Sequence, residues 1–192
     1  MQTLLARTFL AAFLFIAFGA ATPALAGPFA DAAAGAEAQA ATDVAGAALA
    51  GHEAYADFMG AQKFQMINAT FVASDPEGFG MYDRRQAVFG KGEPLIVYCE
   101  PVGLPWQKGG RGFQSLFTVD FEVLDTTGKV LGGQKEFGRF GFDSAVRNQE
   151  IMTRLTLNVD GIEPGDYVLR YIFTDQVSGN QAGLDMPFKA AW

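Results

Sequence analysis

The sequence predicts an all-β protein, an antiparallel β-sandwich of about seven strands, and three observations indicate this fold. Apolar and polar side chains alternate strictly through residues 113–125, which is typical of a strand with one buried and one wet face. Further β-rich runs follow residue 63, separated by turns that contain Gly, Pro, Asn or Asp. No helical period interrupts these runs. Stacking two sheets would bury their apolar faces, and a closed barrel of about eight strands is the alternative with the same periodicity.

Residues 1–26 have the three parts of a secretory signal peptide. Arg7 is the basic part, residues 8–21 are apolar, and residues 24–26 form a small-x-small cleavage site before Gly27. The apolar run is shorter than the roughly 20 residues that a membrane-spanning helix needs. We therefore expect an exported protein, periplasmic or secreted, with no membrane span after removal of the signal. The Ala-rich composition favours a bacterial periplasm.

Residues 27–62 form an Ala- and Gly-rich leader with few large apolar side chains. Such a segment buries little surface, so packing does not offset the entropy lost on ordering it. Asp43 is placed to cap a weak helix that would include Leu49 and Phe58. The prediction is a flexible or weakly helical leader, followed by a β-sandwich domain over residues 63–192.

The strands of that domain follow from alternation and from turn residues. The predicted strands cover residues 64–72, 95–100, 113–125, 129–137, 150–160, 167–173 and 181–189. Residues 75–85, 101–112 and 138–148 are expected to be long connections. The prolines and glycines of residues 101–112 argue against regular pairing there.

The charge of the chain restricts its partners. It carries 14 Lys and Arg against 21 Asp and Glu, a net charge of −7, and removal of the signal would take away Arg7 and no acidic residue. An acidic protein is repelled by nucleic acid and by anionic membrane surfaces. The expected partner is therefore a protein or a glycan, and no nucleic acid.

Cys99 is the only cysteine, so no internal disulfide forms. It shares a predicted strand face with Leu95 and Val97, where a thiol behaves as a small buried apolar group. A reactive thiol would need a basic or histidine neighbour, and the only histidine, His52, lies far away in the leader. An inert core thiol is predicted, with an intermolecular disulfide as the alternative.

No catalytic or metal-binding constellation stands out. One His and one Cys do not make a structural zinc site, and the methionines do not cluster. No metal or cofactor is expected. The remaining enzymatic hypothesis is a hydrolase that uses a pair of carboxylates such as Asp83 and Glu100.

The first candidate binding site is the connection at residues 101–112. Trp106 stands there with Lys108 and Arg111. An aromatic face beside cationic groups can stack on a sugar ring or anchor a protein interface. Alternatively, Trp106 folds back to cap the edge of the core.

The second candidate lies within residues 78–85 and consists of Phe79, Tyr82 and Arg84. Aromatic residues with arginine are typical of protein interfaces, although an edge strand that packs inward has the same composition. Three phenylalanines at positions 137, 140 and 142 form a third group, which needs burial or a partner.

The chain also resembles a known class of domains near its end. The run Glu163-Pro164-Gly165-Asp166-Tyr167, with Thr174-Asp175 and Ser178-Gly179 after it, is similar to the closing hairpin of bacterial exported immunoglobulin-like and fibronectin type III-like domains. The resemblance implies an immunoglobulin-like sandwich. It also implies that the Tyr167 hydroxyl bonds back to the preceding connection.

The function predicted from these observations is an exported, non-catalytic binding or adaptor module that acts through loops at one end of a β-sandwich. The alternative is a binder of carbohydrate or cell-wall glycan with Trp106 as the stacking platform. Either function would use loops carried on a rigid scaffold.

Overall fold

The computed structural model describes residues 27–159 and 161–192, and the predicted signal at residues 1–26 lies outside this part. The described residues are mostly β-strand, with two helices at the start. In chain order the elements are α1 (Pro28–Ala40), α2 (Val44–Gly60), β1 (Gln65–Phe71), β2 (Val88–Phe89), β3 (Leu95–Val102), β4 (Gln107–Gly109), β5 (Gly112–Asp125), β6 (Val130–Ser144), β7 (Thr153–Leu157), β8 (Gly165–Asp175) and β9 (Gln181–Ala190).

The strands form two sheets. The smaller sheet has the order β1-β3-β7, and all its pairs are antiparallel. In the larger, six-stranded sheet β2, β9, β8 and β5 are neighbours in that order, and β5 also pairs with β4 and β6. β4 and β8 share one side of β5, and β6 occupies the other side over nearly its whole length. Within the described residues, β7 and β6 are thus edge strands, and neither sheet closes on itself.

The predicted strand over residues 113–125 is confirmed as β5. Phe117, Val119 and Val123 point to one face and are buried, as their alternation predicts. Thr118 and Leu124 on the other face are also buried. Alternation alone does not show this second burial, because it depends on how neighbouring elements cover the strand.

One apolar cluster contains side chains from both sheets. Burying each large apolar side chain is worth about 1.5–3 kcal/mol, so this cluster is what holds the two sheets together. Its fully or nearly fully buried members include Phe71, Val97, Cys99 and Leu155 from the smaller sheet and Phe117, Val119, Leu169, Tyr171, Phe173 and Phe188 from the larger sheet.

Cys99 is free and buried within this cluster, as predicted. Burial, and secondarily the charge of Glu100, raises the pKa of its thiol to about 12. The thiolate, which is the reactive form, is therefore scarce at neutral pH.

The leader is more ordered than its composition predicts. α1 begins with Pro28 and α2 is capped by Asp43, whose carboxylate accepts a hydrogen bond of 2.9 Å from the Gly46 N–H, as predicted. The rings of Phe29 and Phe58 meet across the helices at 4.8 Å between centroids. Small alanine side chains let the two helices approach closely, so each helix supplies the burial that a lone Ala-rich segment lacks. No helix in residues 27–159 or 161–192 is long and apolar enough to cross a membrane.

Two predicted connections contain strands. β6 runs to Ser144, so the part of the predicted loop 138–148 before that residue is paired with β5. β4 pairs with the start of β5, which makes a tight hairpin where regular pairing was not expected. Gly109 permits this hairpin, because a Cβ atom there would lie 2.8 Å from the Gln114 side chain.

Candidate functional site

The structure separates the six predicted site residues into two groups. Trp106, Lys108 and Arg111 follow the end of β3 at Val102, whereas Phe79, Tyr82 and Arg84 lie in the connection that leaves β1 at Phe71. Phe71 pairs with Val97, and Gln65 at the start of β1 pairs with Val102. The two groups therefore start from opposite ends of the β1–β3 ladder, about 16 Å apart at the strand rise.

Trp106 is half-buried and packs against the core cluster. Lys108 and Arg111 are exposed on the β4–β5 hairpin. The Arg111 N–H donates to the Asp143 carboxylate at 3.1 Å, and its guanidinium lies 3.9 Å from the same carboxylate. Part of the Trp106 ring therefore contacts the core. This agrees with the alternative prediction that Trp106 folds back and caps the edge of the core.

The second group folds over the outer face of the smaller sheet. The Tyr82 ring packs on the Tyr98 ring at 4.1 Å between centroids, and the Gly80 N–H donates to the Tyr98 hydroxyl at 2.8 Å. Arg84 lies 5.9 Å from the centroid of the Tyr82 ring. Phe79 at the tip is 42% exposed. Tyr82 thus contributes mainly to packing, and Phe79 is the group's free aromatic side chain.

A buried polar network lies beneath this connection. The Tyr98 hydroxyl donates to the Glu100 carboxylate at 2.5 Å, and the Asn68 amide donates to the same carboxylate at 2.7 Å. Burial first, and then the bond to Glu100, raises the pKa of Tyr98 to about 12. The carboxylate of Glu100 is therefore occupied by structural partners.

The predicted carboxylate pair does not share a cleft. Asp83 lines a cleft of about 210 Å³ with Asp75 and Glu77, and Glu100 is not part of its lining. Asp75 is in turn ion-paired with Arg154. Asp83 therefore shares this cleft with Asp75 and Glu77 and does not share it with Glu100.

A larger, mainly apolar groove lies between the edge strands of the two sheets. Its volume is about 510 Å³. Its walls come from the ends of β5, β6 and β7 and from the connection between β7 and β8. The principal apolar lining residues are Phe121, Val123, Leu131, Leu157, Ile162 and Tyr167.

A β-bulge shapes the β6 wall of this groove. Val123 pairs with Gly132 and Leu124 pairs with Val130, so Leu131 is an extra residue with no partner on β5. Bulges of this kind bend the strand and re-aim side chains. Leu131 lines the groove and is 46% exposed.

Gly132 leaves the groove open. Paired residues of an antiparallel ladder point to the same face, so a side chain at position 132 would point inward beside Val123. A Cβ atom there would meet no atom within 4 Å, whereas one at Gly133 would lie 2.5 Å from the Phe121 carbonyl oxygen. The absent side chain at Gly132 therefore contributes directly to the free volume.

Tyr167 stabilises the opposite wall. Its hydroxyl donates to the Glu163 carbonyl oxygen at 2.7 Å, which is the hydrogen bond that the resemblance at residues 163–167 implies. Its ring also stacks on Phe188 at 5.6 Å. The turn before β8 is held in place by this residue, although Tyr167 was not predicted as a site residue.

The groove itself was not predicted from the sequence. The signal for it was the Gly132-Gly133 pair inside a β-rich run, because glycine within a strand often marks a bulge or the close approach of a ligand or backbone. Phe121 and Val123 are on the predicted buried face of residues 113–125, and alternation does not distinguish a core side chain from one at an open edge.

A second bulge disrupts the free edge of β6 further along. Glu136 has a left-handed φ of 49°, and the Asp120 carboxylate accepts bonds of 2.8 Å from its N–H and from the Lys135 ammonium. Burial opposes ionisation of Asp120, but these two bonds outweigh it and lower its pKa. Charged side chains and bulges at an edge protect it from pairing with other chains.

Comparisons with known proteins add no assignment. No family model matches the chain, and no curated protein matches it. Among solved structures, the Pseudomonas fluorescens alkylpurine DNA glycosylase AlkC bound to DNA containing an abasic site analog is 11% identical, with a TM-score of 0.35 over 74% of this chain and 34% of that chain. This chain therefore spans about a third of the glycosylase.

Superoxide reductase (Neelaredoxin) from Ignicoccus hospitalis is also similar. It is 13% identical, with a TM-score of 0.36 over 66% of this chain and 82% of that chain. A variant form of the same reductase is 15% identical, with a TM-score of 0.35 over 56% of this chain and 77% of that chain. At such TM-scores these likenesses carry no argument about what this chain does.

Proposed function

We propose that this protein is an exported, non-catalytic binding or adaptor module with an immunoglobulin-like sandwich fold, and that it binds a protein partner. The signal-like residues 1–26 support export. The apolar cluster shared by the two sheets and the bond from Tyr167 to Glu163 support the sandwich and its immunoglobulin-like type.

The observation that carries the proposal is the groove between the edges of β6 and β7. Its volume of about 510 Å³ lies within the range of ligand and side-chain pockets. Leu131 remains 46% exposed at its rim. An apolar concavity with exposed apolar residues is typical of a surface that a partner covers.

The groove favours a protein partner over a glycan. A glycan site needs an exposed aromatic platform with polar groups around it, and Trp106, the predicted platform, packs against the core cluster. The groove walls are instead aliphatic and aromatic side chains that suit an apolar anchor from a protein. The proposed contact surface is therefore the groove with its two sheet edges, in place of the loops carrying Trp106 and Phe79.

Capture of partners from a periplasmic extract tests the proposal. The wild-type protein is compared with Gly132→Trp, which fills the groove, and with Gly183→Trp as a matched control. Gly183 lies on β9, and a Cβ atom there also meets nothing within 4 Å. We expect a protein that is recovered with the wild type and with Gly183→Trp and is lost with Gly132→Trp. Recovery unaffected by Gly132→Trp, or no protein recovered at all, would refute the proposal.

A further inference from the structure

The smaller sheet ends at β7, so β7 has a free edge. β7 pairs with β3 in regular register, without a bulge, from Thr153 to Leu157. Within the described residues, its main-chain groups form no hydrogen bonds beyond that ladder. An edge with unpaired N–H and C=O groups is a template for an added strand.

β6 offers a poorer template for strand addition than β7. Leu131 is an unpaired bulge residue, and the register shifts again around Glu136, which has a left-handed φ. Lys135 and Arg139 add exposed charges to this edge. These are the features that block strand pairing. β7 has none of these bulges, and its outward side chains are Arg154 and Thr156.

Apolar groups lie beside β7, and several of them are only partly buried. Leu157 at the end of β7 and Leu131 on β6 line the same groove. Further along β6, Phe140 and Phe142 contact the core residue Phe117, at 5.2 and 6.1 Å between ring centroids, yet both remain half-buried. A strand placed beside β7 would direct alternate side chains towards these groups.

The charge of the site limits the composition of such a strand. Among the described residues that line the groove, Glu163 is the only charged one. The whole chain carries a net charge of −7. Arg154 on β7 is paired with Asp75, and Lys135 on β6 is paired with Asp120. The net negative charge therefore attracts an added segment with Lys or Arg outside the groove and repels an acidic one.

From these observations we infer that the partner is recognised through an extended peptide segment that adds to the free edge of β7 and inserts a bulky apolar side chain into the groove. The segment has apolar residues at every second position and basic residues in preference to acidic ones. This inference rests on the proposed function and specifies the partner's chemistry. It differs from the proposed function because it requires main-chain hydrogen bonds between the partner and β7, which an interface made only of side chains would not require.

Selection from a random heptapeptide library displayed on phage tests the inference. The purified protein is the target, and Gly132→Trp and Gly183→Trp serve as the variant and the control. We expect enriched peptides with apolar residues at alternate positions and an excess of Lys and Arg. Enrichment should persist with Gly183→Trp and disappear with Gly132→Trp. Absence of enrichment, or enriched peptides without alternation, would overturn the inference.

A synthetic form of the most enriched peptide then tests main-chain pairing. One peptide is methylated at the amide nitrogens of its odd-numbered residues, and a second peptide at those of its even-numbered residues. Methylation removes these hydrogen-bond donors but keeps the side chains. If a strand is added, one of the two methylated peptides should bind at least about tenfold more weakly, since several main-chain hydrogen bonds are lost. Equal affinity of both methylated forms and the parent peptide contradicts strand addition.

The two proposals fail in different ways. If no peptide is enriched but capture of a periplasmic protein is still lost with Gly132→Trp, the binding function stands and strand addition is refuted. If capture is also independent of Gly132, both fall.

Discussion

At the scale of single residues, two positions show how the connections are held. Gly103 follows β3 with a left-handed φ of 69°, and the chain between α2 and β1 crosses directly over it. Tyr98 joins the connection after β1 to the outer face of the smaller sheet through its hydroxyl group. Each of these features depends on one side chain or on its absence, so substitution tests it directly.

Substitution of Gly103 by Ala should destabilise the protein. A Cβ atom there would lie 2.4 Å from the Gln62 carbonyl oxygen and 2.6 Å from the Lys63 carbonyl carbon, which are backbone atoms with little freedom to move. The left-handed φ adds strain for any residue with a Cβ atom. We expect a loss of about 1–3 kcal/mol in the free energy of unfolding, measured by urea denaturation. Gly183→Ala is the control, expected within about 0.5 kcal/mol; equal effects would refute the steric argument.

Substitution of Tyr98 by Phe tests the buried network. The change keeps the ring that packs on Tyr82 and removes the hydroxyl that donates to Glu100 and accepts from the Gly80 N–H. Leaving buried polar groups without partners costs about 1–3 kcal/mol. The free energy of unfolding should fall by that amount, whereas Tyr55→Phe on the exposed face of α2 should change it little. A stability equal to that of the wild type would show that the network is dispensable.

At the scale of elements, β6 pairs with β5 along its length but is interrupted by two β-bulges. Its length is set by β5, with which it pairs from Val130 to Ser144, and its two bulges are local. The bulge at Leu131 opens the groove, while the one near Glu136 depends on the Asp120 carboxylate. A single edge strand therefore provides both one wall of the groove and protection against unspecific pairing.

The contribution of the second bulge to stability should depend on pH, because it involves the Asp120 carboxylate. Its pKa is lower in the folded protein than in the unfolded chain, so the folded state binds fewer protons. Its contribution to stability is complete above the unfolded pKa of about 4 and is lost as pH falls through the folded value. Asp120→Asn should lower the urea midpoint at pH 7, and the difference from wild type should shrink below about pH 4. A difference independent of pH would contradict a role for the charge.

The helical leader is a second element, and its composition alone does not predict its two packed helices. Its exposed apolar side chains, among them Leu49, remain on the surface of α2. The ion pairs of Arg147 with Glu53 and Asp57, the latter at 2.5 Å, connect α2 to the segment after β6. Long-range pairs of this kind leave no local signal in a sequence.

At the scale of the whole molecule, export is the claim to test first. We expect the protein recovered from the periplasm to begin at Gly27, because the small-x-small motif at residues 24–26 precedes it. Intact mass and N-terminal sequencing measure this. Replacing Ala26 with Lys should block cleavage, and Ala20→Ser in the apolar part is a control that should be processed normally. A chain found in the cytoplasm with its first residue intact would refute export.

Local patterns in the sequence were sufficient for several features. Strict alternation identified β5 and most other strands, and Asp43 identified the start of α2. The resemblance at residues 163–167 implied the bond made by Tyr167. Each of these depends on residues that are close in sequence, where strand periodicity, capping and turn geometry act. The burial of Cys99 followed from the same strand pattern.

The tertiary structure decided which strands pair and where the groove lies. Which strands end up at the edges, where β6 stops, how Trp106 packs and how the groove opens at Gly132 all depend on residues far apart in the chain. Alternating side chains show which face of a strand is apolar. They do not show whether another sheet covers that face along its whole length, because coverage is a property of both sheets together.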